Sequence, residues 1–435
     1  MNDYAFGNYL YGLRVRLGYT QAQVAAALGV TNKAVSKWEN GKAMPSTGSI
    51  RKLAALYAVS ADELLSRKQE KNAPEITKIV ITGGPCAGKT TGMSWVQNAL
   101  TERGYRVLFV PETATELITG GVAPWTCGSN IDYQKCQVSL QLAKEEVFDQ
   151  AARTMAVDKI LIVCDRGVLD NKAYMKDAEF SMVCSDLGLD EVTLRDSYDA
   201  VFHLVTAAKG ADEFYTTANN SARTETAKEA AEMDDRLIAA WTGHPHLRVI
   251  GNDQDFDSKM RTLIHEITSF LGEPEPYEIE HKFLIDYPDV HYLQSLPNCQ
   301  KVEIIQTYLK SEPGSEIRVR QRGMNGSYIY FRTEKKPVSA MKRVELECRL
   351  TEKEYLTALM DADTTMHPIR KDRYCLTWNN QYFEIDIYPF WQDKAIVEIE
   401  LTDENQPITF PDFLHVQKEV TDDKTYSNYA LAGGK

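Results

Sequence analysis

The sequence predicts a multidomain chain that joins an all-α segment, an α/β segment on a parallel sheet, and an antiparallel β segment that makes the last part α+β. Three observations carry this prediction. Residues 1–66 hold short amphipathic stretches bounded by cap residues. Residues 76–272 alternate apolar strand runs with helical stretches around one glycine-rich loop. Residues 273–435 switch to period-two alternation of charged and apolar side chains.

At 435 residues the chain exceeds one ordinary domain. Its 43% apolar and 26% charged residues are those of a globular protein and exclude a disordered or fibrous one. No apolar run approaches the roughly 20 residues that span a bilayer. The first residues lack the basic start and apolar core of a signal peptide. The eight cysteines show no C-x-x-C pair and no finger spacing. Reduced thiols, a cytoplasmic location and no membrane contact are therefore expected.

Charge is unevenly spread. Residues 1–70 hold nine Lys and Arg against five Asp and Glu, a surplus of +4, which leaves −17 on the remainder of a chain whose total is −13. Only this first segment is expected to meet nucleic acid. Thr20 with Gln23 forms a capping box for a helix from Gln21 to Leu28, which ends at Gly29. Thr31 caps a second helix from Asn32 to Glu39, closed by Gly41. Ser46 or Thr47 caps Ile50 to Tyr57, and Ser60 caps Ala61 to Leu65. The pair joined through Gly29 has helix-turn-helix geometry. The stretch LRVRLGYTQAQVAAALGVTNKAVSKWENGKAMPS resembles the phage-repressor, Cro/CI-like helix-turn-helix family. That resemblance implies DNA binding through residues 1–66, with Thr31, Asn32, Lys33, Ser36 and Lys37 facing the major groove and Gln21 and Lys42 on phosphates. It also implies a homodimer or higher homo-oligomer on a palindromic site. Residues 67–75, charged and with Pro74, read as a linker.

KIVITGGPCAGKTT, Lys78 to Thr91, organises the second domain. Strand residues run into a G-x-x-x-x-G-K-T loop, and a helix follows. Gly83, Gly84 and Gly88 permit unusual backbone angles, so the N–H groups of the turn Gly83–Gly84–Pro85–Cys86–Ala87–Gly88, all but that of Pro85, which has none, can gather with that of Thr91 around a phosphate chain. Lys89 reaches the outer phosphates and the Thr90 hydroxyl can hold Mg²⁺. ATP or GTP is the expected nucleotide. A second strand, Arg106 to Val110, ends before Glu112. A long helix around Gln134 to Ala156 precedes an apolar strand, Lys159 to Cys164, that ends at Asp165, the position of a magnesium-ordering carboxylate. Strands Ala200 to Val205 and Leu247 to Ile250 complete the pattern. An acid after the second strand and Asp165-Arg166-Gly167 after the third resemble small P-loop kinases and the AAA-labelled, kinase-like ATPase domains of bacteria. The resemblance implies Glu112 as base toward a hydroxyl acceptor and Arg166 on substrate or its phosphate. It also implies a lid near the helix Glu225 to Trp241, supplying Arg223 and Arg236.

In the third domain, Glu278, Glu280 and Lys282 share a strand face, as do Arg318 with Arg320, and Thr333 with Lys335. So do Arg343 with Glu345 and Glu347, Lys371 with Arg373, Glu384 with Asp386, and Glu398 with Glu400. Apolar residues intervene. A one-sided sheet would turn such charges to water. Repetition of paired acids and bases in strand after strand predicts a closed barrel with a charged lumen, where acids hold divalent cations and bases hold a polyphosphate. Glu278-Ile279-Glu280-His281-Lys282 is the E-x-E-x-K signature, and QTYL, IRVRQR, VELE, IRKDRY, FEIDIY, VEIEL and EVTDDKTYSNYALA follow in order. The segment is similar to the CYTH, or triphosphate tunnel metalloenzyme, superfamily. That resemblance implies an eight-stranded tunnel that binds a nucleoside triphosphate or inorganic triphosphate with Mg²⁺ or Mn²⁺. Glu278, Glu280, Glu345, Glu347, Glu398 and Glu400 would lie on the metal side. Lys282, Arg318, Arg320, Lys335, Lys371 and Arg373 would lie on the phosphate side, and His281 would face outward. Together these features predict a triphosphate phosphohydrolase fused to a nucleotide-binding kinase-like domain and a DNA-binding module. The alternatives are a nucleotide- or polyphosphate-sensing transcriptional regulator with little turnover and a small-molecule, nucleoside-like kinase.

Overall fold

The computed structural model describes residues 10, 13–14, 17, 19–39, 43–57, 59, 74–210, 226–252, 255–272, 279–311, 316–337, 343–401 and 406–434, without the side chains of 279, 335–337 and 343–346. Two compact units divide after Glu75. In the first, helices Gln21–Leu28, Asn32–Glu39 and Thr47–Leu56 follow one another. Thr20 and Gln23 close the capping box, and Gly29, at φ 73°, turns the chain out of the first helix. Thr31 Oγ1 accepts the Ala34 N–H at 3.2 Å to open the second. Leu13, Val24, Leu28, Val35, Trp38 and Leu53 form the core. The third helix starts three residues before the expected Ile50, because Ser46 supplies the cap. Gly41, Lys42, Ser60 and the expected helix 61–65 lie outside the described residues.

The second unit contains both remaining sheets. Strands β1 (Glu75–Gly83), β2 (Arg106–Val110), β3 (Lys159–Asp165), β4 (Ala200–Leu204) and β5 (Leu247–Ile250) form a sheet in the order β2-β3-β1-β4-β5. The β2–β3, β1–β4 and β4–β5 pairings are parallel. Their near-continuous apolar runs are buried on both faces. β1 begins at Glu75, so that residue belongs to the sheet rather than to the expected linker. The chain runs from central β1 to the β2 edge, returns through β3 and then crosses to β4 and β5 on the other side, and this change of direction opens a crevice at the strands' carboxyl ends.

The second sheet has strands β6 (Ile279–Asp286), β7 (Cys299–Leu309), β8 (Glu316–Met324), β9 (Ser327–Pro337), β10 (Arg343–Leu350), β11 (Ile369–Trp378), β12 (Gln381–Ile387), β13 (Lys394–Leu401) and β14 (Val416–Glu419). Their order is β10-β9-β8-β7-β11-β12-β13-β6-β14. This corrects the expected closed, eight-stranded barrel in two ways. The four-residue β14 adds a ninth strand on the free edge of β6, and β10 and β14 do not hydrogen-bond, so among the described residues the sheet stays open. One face packs Phe283, Ile285, Phe383, Ile385, Val397 and Ile399 into a core. The alternate residues carry the charges.

A buried polar seam joins the two lobes. Arg322 on β8 donates to Asp196 at 3.1 Å and to the Gly243 carbonyl. Tyr382 Oη donates to the His244 carbonyl at 2.9 Å, and Thr242 meets Thr377 at 3.2 Å.

Candidate functional sites

The glycine-rich loop sits where β1 runs into the helix Lys89–Glu102. Gly83 has φ 149°, and a Cβ there would lie 2.2 Å from the Leu204 carbonyl oxygen. Gly88 has φ 92° and faces the Phe256 ring, which a Cβ would meet at 2.7 Å. Cys86 takes φ 59°, unusual for a side-chain-bearing residue. The helix then presents its N-terminus, with the Lys89, Thr90 and Thr91 amides, to an anion. Gly84, Pro85 and Ala87 complete the turn. Its first part is held by a residue the sequence did not single out. Asp234, fully buried, accepts from the Gly84 N–H at 3.0 Å and the Thr206 N–H at 3.1 Å. It also contacts His203 Nε2 and Lys209. Burial opposes its charge, but His203 and Lys209 hold it well below the usual carboxylate range.

The structure brings Glu112, Asp165 and Arg166 together. Glu112 follows β2, Asp165 ends β3, and Arg166 turns back at φ 68°. Arg166 Nε donates to Glu112 Oε1 at 2.6 Å and Nη1 reaches Asp170 at 3.4 Å. Thr115 donates to the other Glu112 oxygen at 2.6 Å. Burial pushes Glu112 up, but Arg166 and Lys89 hold it at about 2. Lys89 is lowered by burial and by Arg166, partly offset by Asp165 and Glu112. Burial raises Asp165, whose Oδ1 is buried without a hydrogen-bond partner among the described atoms. That orphan oxygen, with the Thr90 hydroxyl, suits a hard divalent cation. Asp170, absent from the expected site, accepts from Thr82 at 2.7 Å and Trp241 Nε1 at 2.5 Å and so braces Arg166. Its place five residues after Asp165 was the available signal. Arg223 lies outside the described residues, and Arg236 is exposed.

On the antiparallel sheet, β11, β12, β13 and β6 are neighbours and pool their charges. Arg373 binds Asp386 through Nε and Nη2, each at 2.7 Å, Glu398 at 2.6 Å, and also Glu384. Lys371 pairs with Asp386. Lys282 reaches Glu398 at 2.5 Å and Glu280 at 2.9 Å. Burial disfavours the Glu398 charge, yet Lys282, Lys371 and Arg373 hold it well below the ordinary range. Glu280 stands directly opposite Glu400, and burial together with Glu398 pushes it up. On the far strands, Arg320 binds Glu347 at 2.9 Å, and Thr333 donates to the same carboxylate. The Arg320 Nε is buried with no hydrogen-bond partner among the described atoms. Tyr308 hydrogen-bonds with Arg318 and accepts from Gln306 at 2.7 Å.

Glu278 lies outside the described residues, and so do the side chains of Lys335 and Glu345, which stand opposite each other in the β9–β10 register. Among the described residues no three acids or imidazoles gather into a ready-made metal site. The donors on this face are oxygens and two carboxylates stand opposed, so their chemistry fits Mg²⁺ or Mn²⁺. Glu384 and Asp386 belong to the cluster although the expected site omitted them. Their alternation matched that of their neighbours. His281 lies on the opposite strand face and meets Glu419 at 2.9 Å.

In the first unit, Thr31, Asn32, Lys33 and Lys37 are exposed and Ser36 is half-exposed. The Gln21 amide donates to Glu39 at 2.7 Å, alongside Arg14 at 2.6 Å, so it also braces the two helices.

Residues 78–259 match the family model of an AAA domain, and residues 10–64 match a helix-turn-helix family model. The N-terminal segment is 39% identical over 64 residues to the HTH-type transcriptional activator BcrR of Enterococcus faecalis, covering 15% of this chain and 31% of that protein. It is 40% identical over 60 residues to the SPbeta prophage-derived HTH-type regulator YonR of Bacillus subtilis (strain 168), 14% of this chain and 56% of that protein. The chain thus spans about a third to just over half of the length of these curated relatives. Among solved structures, the inorganic triphosphatase NE1496 is 29% identical and aligns over 37% of this chain and 96% of its own, with a TM-score of 0.26. No helix among the described residues is long and apolar enough to cross a membrane.

Proposed function

We propose that the antiparallel sheet cleaves the terminal phosphate from a nucleoside or inorganic triphosphate with the aid of Mg²⁺ or Mn²⁺, while the P-loop lobe binds ATP or GTP as a kinase-like domain. One observation carries the reading. Lys282, Lys371 and Arg373 converge with Glu398, Asp386 and Glu384 on one largely buried sheet face, while the opposite face already supplies an apolar core. Burying so many charges costs stability that apolar residues would not, so a structural sheet gains nothing from them. Arg and Lys match a phosphate chain, with Arg373 offering its planar fork. Lys371 and Lys282 would hold adjoining phosphates, and Arg320 would extend the row. Glu280, Glu398 and Glu400, with Glu278, Glu345 and Glu347, would hold the cation on the other side. When bound, that cation would polarise the phosphoryl group and lower the pKa of the attacking water.

In the P-loop lobe, Glu112 at about 2 is ionised throughout the neutral range and is a weak base. Its tie to Arg166 suits it to orient an acceptor hydroxyl. Thr90 and Asp165 would hold the nucleotide's cation. Residues 1–66 would bind DNA as a homodimer, and the protein would then act in the cytoplasm as an enzyme with a regulatory arm.

The test is phosphate release from tripolyphosphate, nucleoside triphosphates and thiamine triphosphate with Mn²⁺ or Mg²⁺, in wild type, Lys89→Ala and Lys371→Ala/Arg373→Ala. Release that survives Lys89→Ala and is lost in the double variant supports hydrolysis on the charged sheet face. Release lost only in Lys89→Ala assigns all turnover to the P-loop.

A further inference from the structure

Arg248 lies on β5, the edge strand of the nucleotide sheet, yet its guanidinium leaves that lobe. Nη2 donates to Glu400 on β13, and Nε stands 3.6 Å from Glu266 in the helix Phe256–Phe270 of its own lobe. A cavity of about 50 Å³ lies beside the pair, lined in part by Arg248, Glu266, Tyr382, Glu384, Glu398 and Glu400. The neighbouring acids are served from within their own sheet, Glu398 by Lys282 and Arg373, and Glu384 and Asp386 by Arg373. Glu400 takes its positive partner from the other lobe.

The register sharpens the point. Glu400 is directly opposite Glu280, and like charges so placed repel unless a cation intervenes. Lys282 serves Glu280 from within the sheet at 2.9 Å, and Arg248 supplies a tethered single charge on the Glu400 side. A carboxylate engaged with a guanidinium is a poorer ligand for a divalent ion, because the ion pair must first be exchanged. Glu266 offers an acceptor for the displaced guanidinium. It sits on the helix whose first residue, Phe256, lies against Gly88 of the P-loop and whose Leu263 lies against Gly92.

We propose that Arg248 is a built-in competitor for the divalent cation at the Glu280–Glu400 pair, so that the nucleotide lobe sets the metal affinity of the charged sheet face. This rests on the triphosphate-hydrolysis reading given above. In the exchange Arg248 moves from Glu400 toward Glu266 as the cation takes Glu400, and no bond other than the ion pair changes.

The test is Mn²⁺ binding to the full chain without nucleotide, read from the EPR signal of free Mn²⁺, with thermal unfolding to check the fold. Arg248→Met should bind Mn²⁺ about tenfold more tightly, the factor expected for loss of one partly buried ion pair. Arg248→Lys, which keeps the charge, should stay near wild type. Glu266→Gln, which weakens the alternative acceptor, should bind less tightly. Arg248→Met with unchanged affinity, beside a Glu400→Gln variant that binds weakly, would overturn the competition while leaving the metal on this face. Binding insensitive to both Glu400→Gln and Glu398→Gln would overturn the triphosphate-hydrolysis reading, and this proposal with it.

Discussion

Arg322 on β8 and Asp196 beside β4 form a buried ion pair across the two lobes, 3.1 Å apart, in which Arg195 also grips Asp196 at 2.7 Å. Burial pushes the Asp196 carboxyl up, but Arg195 and Arg322 hold it at about 2. Nucleotide lobe and antiparallel sheet therefore share one interior. Arg322→Met removes one partner and leaves Asp196 with a single cation, Arg195, at a cost of about 1.5–3 kcal/mol for the charged hydrogen bond lost. Urea unfolding followed by fluorescence and circular dichroism should show a lower midpoint with the two lobes unfolding separately. A single transition at the wild-type midpoint would contradict the shared interior.

The neutral His244 ring predicts acid sensitivity. Its Nε2 donates to the Tyr198 carbonyl at 3.0 Å, while Nδ1 accepts the His246 N–H at 3.0 Å. Burial, with His246 and Arg322 and against Asp196, lowers its pKa from 6.5 to about 3. A lowered folded-state value means that the unfolded chain binds the proton first. The contribution is complete above about pH 6.5 and is lost as pH falls toward 3. Stability should drop by roughly 2 kcal/mol between pH 6.5 and 5, before most carboxylates titrate. Thermal unfolding over that range checks it, and His244→Asn should flatten the slope while lowering the melting temperature at pH 7.5.

At the P-loop, Glu112→Gln should reduce nucleotide turnover by about 10²-fold while leaving nucleotide affinity nearly unchanged, because the role proposed for it is to orient the acceptor. With Glu112 at about 2, no acid limb in the rate between pH 5 and 8 should trace to this carboxylate. Stopped-flow binding with a fluorescent nucleotide, beside a turnover assay, separates the two effects.

The exposed Lys33 and Lys37 should each contribute to DNA affinity through charge. Replacing either by Ala should weaken binding and reduce the slope of log K against log salt by about 1 if it contacts phosphate. Gln21→Ala should lower stability as well, since its amide braces Glu39. Mobility shifts on a selected operator over a salt series measure the first effect, and thermal unfolding the second.

Local chemistry in the sequence located most of these elements. Caps at Thr20 and Thr31 placed the first two helices, and the strands Arg106–Val110 and Leu247–Ile250 matched their apolar runs to the residue. Alternation put Lys282, Lys371, Arg373 and Glu398 on one face. Long-range geometry escaped it. Asp234 reads as one more acid on a charged helix, and only folding brings it under Gly84. Arg248 reads as the polar residue of a short edge strand, and nothing local says that it crosses to Glu400. The ninth strand Val416–Glu419 is too short and polar to announce itself.

The central claim is that the charged sheet face performs triphosphate hydrolysis. Glu398 is its junction, bound by Lys282 and Arg373 at once. The most direct measurement is the rate of phosphate release from tripolyphosphate with Mn²⁺ by Glu398→Gln in a Lys89→Ala background, beside Lys89→Ala alone. A loss of about 10²-fold or more, with the melting temperature within a few degrees of the parent, is predicted. Undiminished release from the Glu398→Gln protein would contradict the claim.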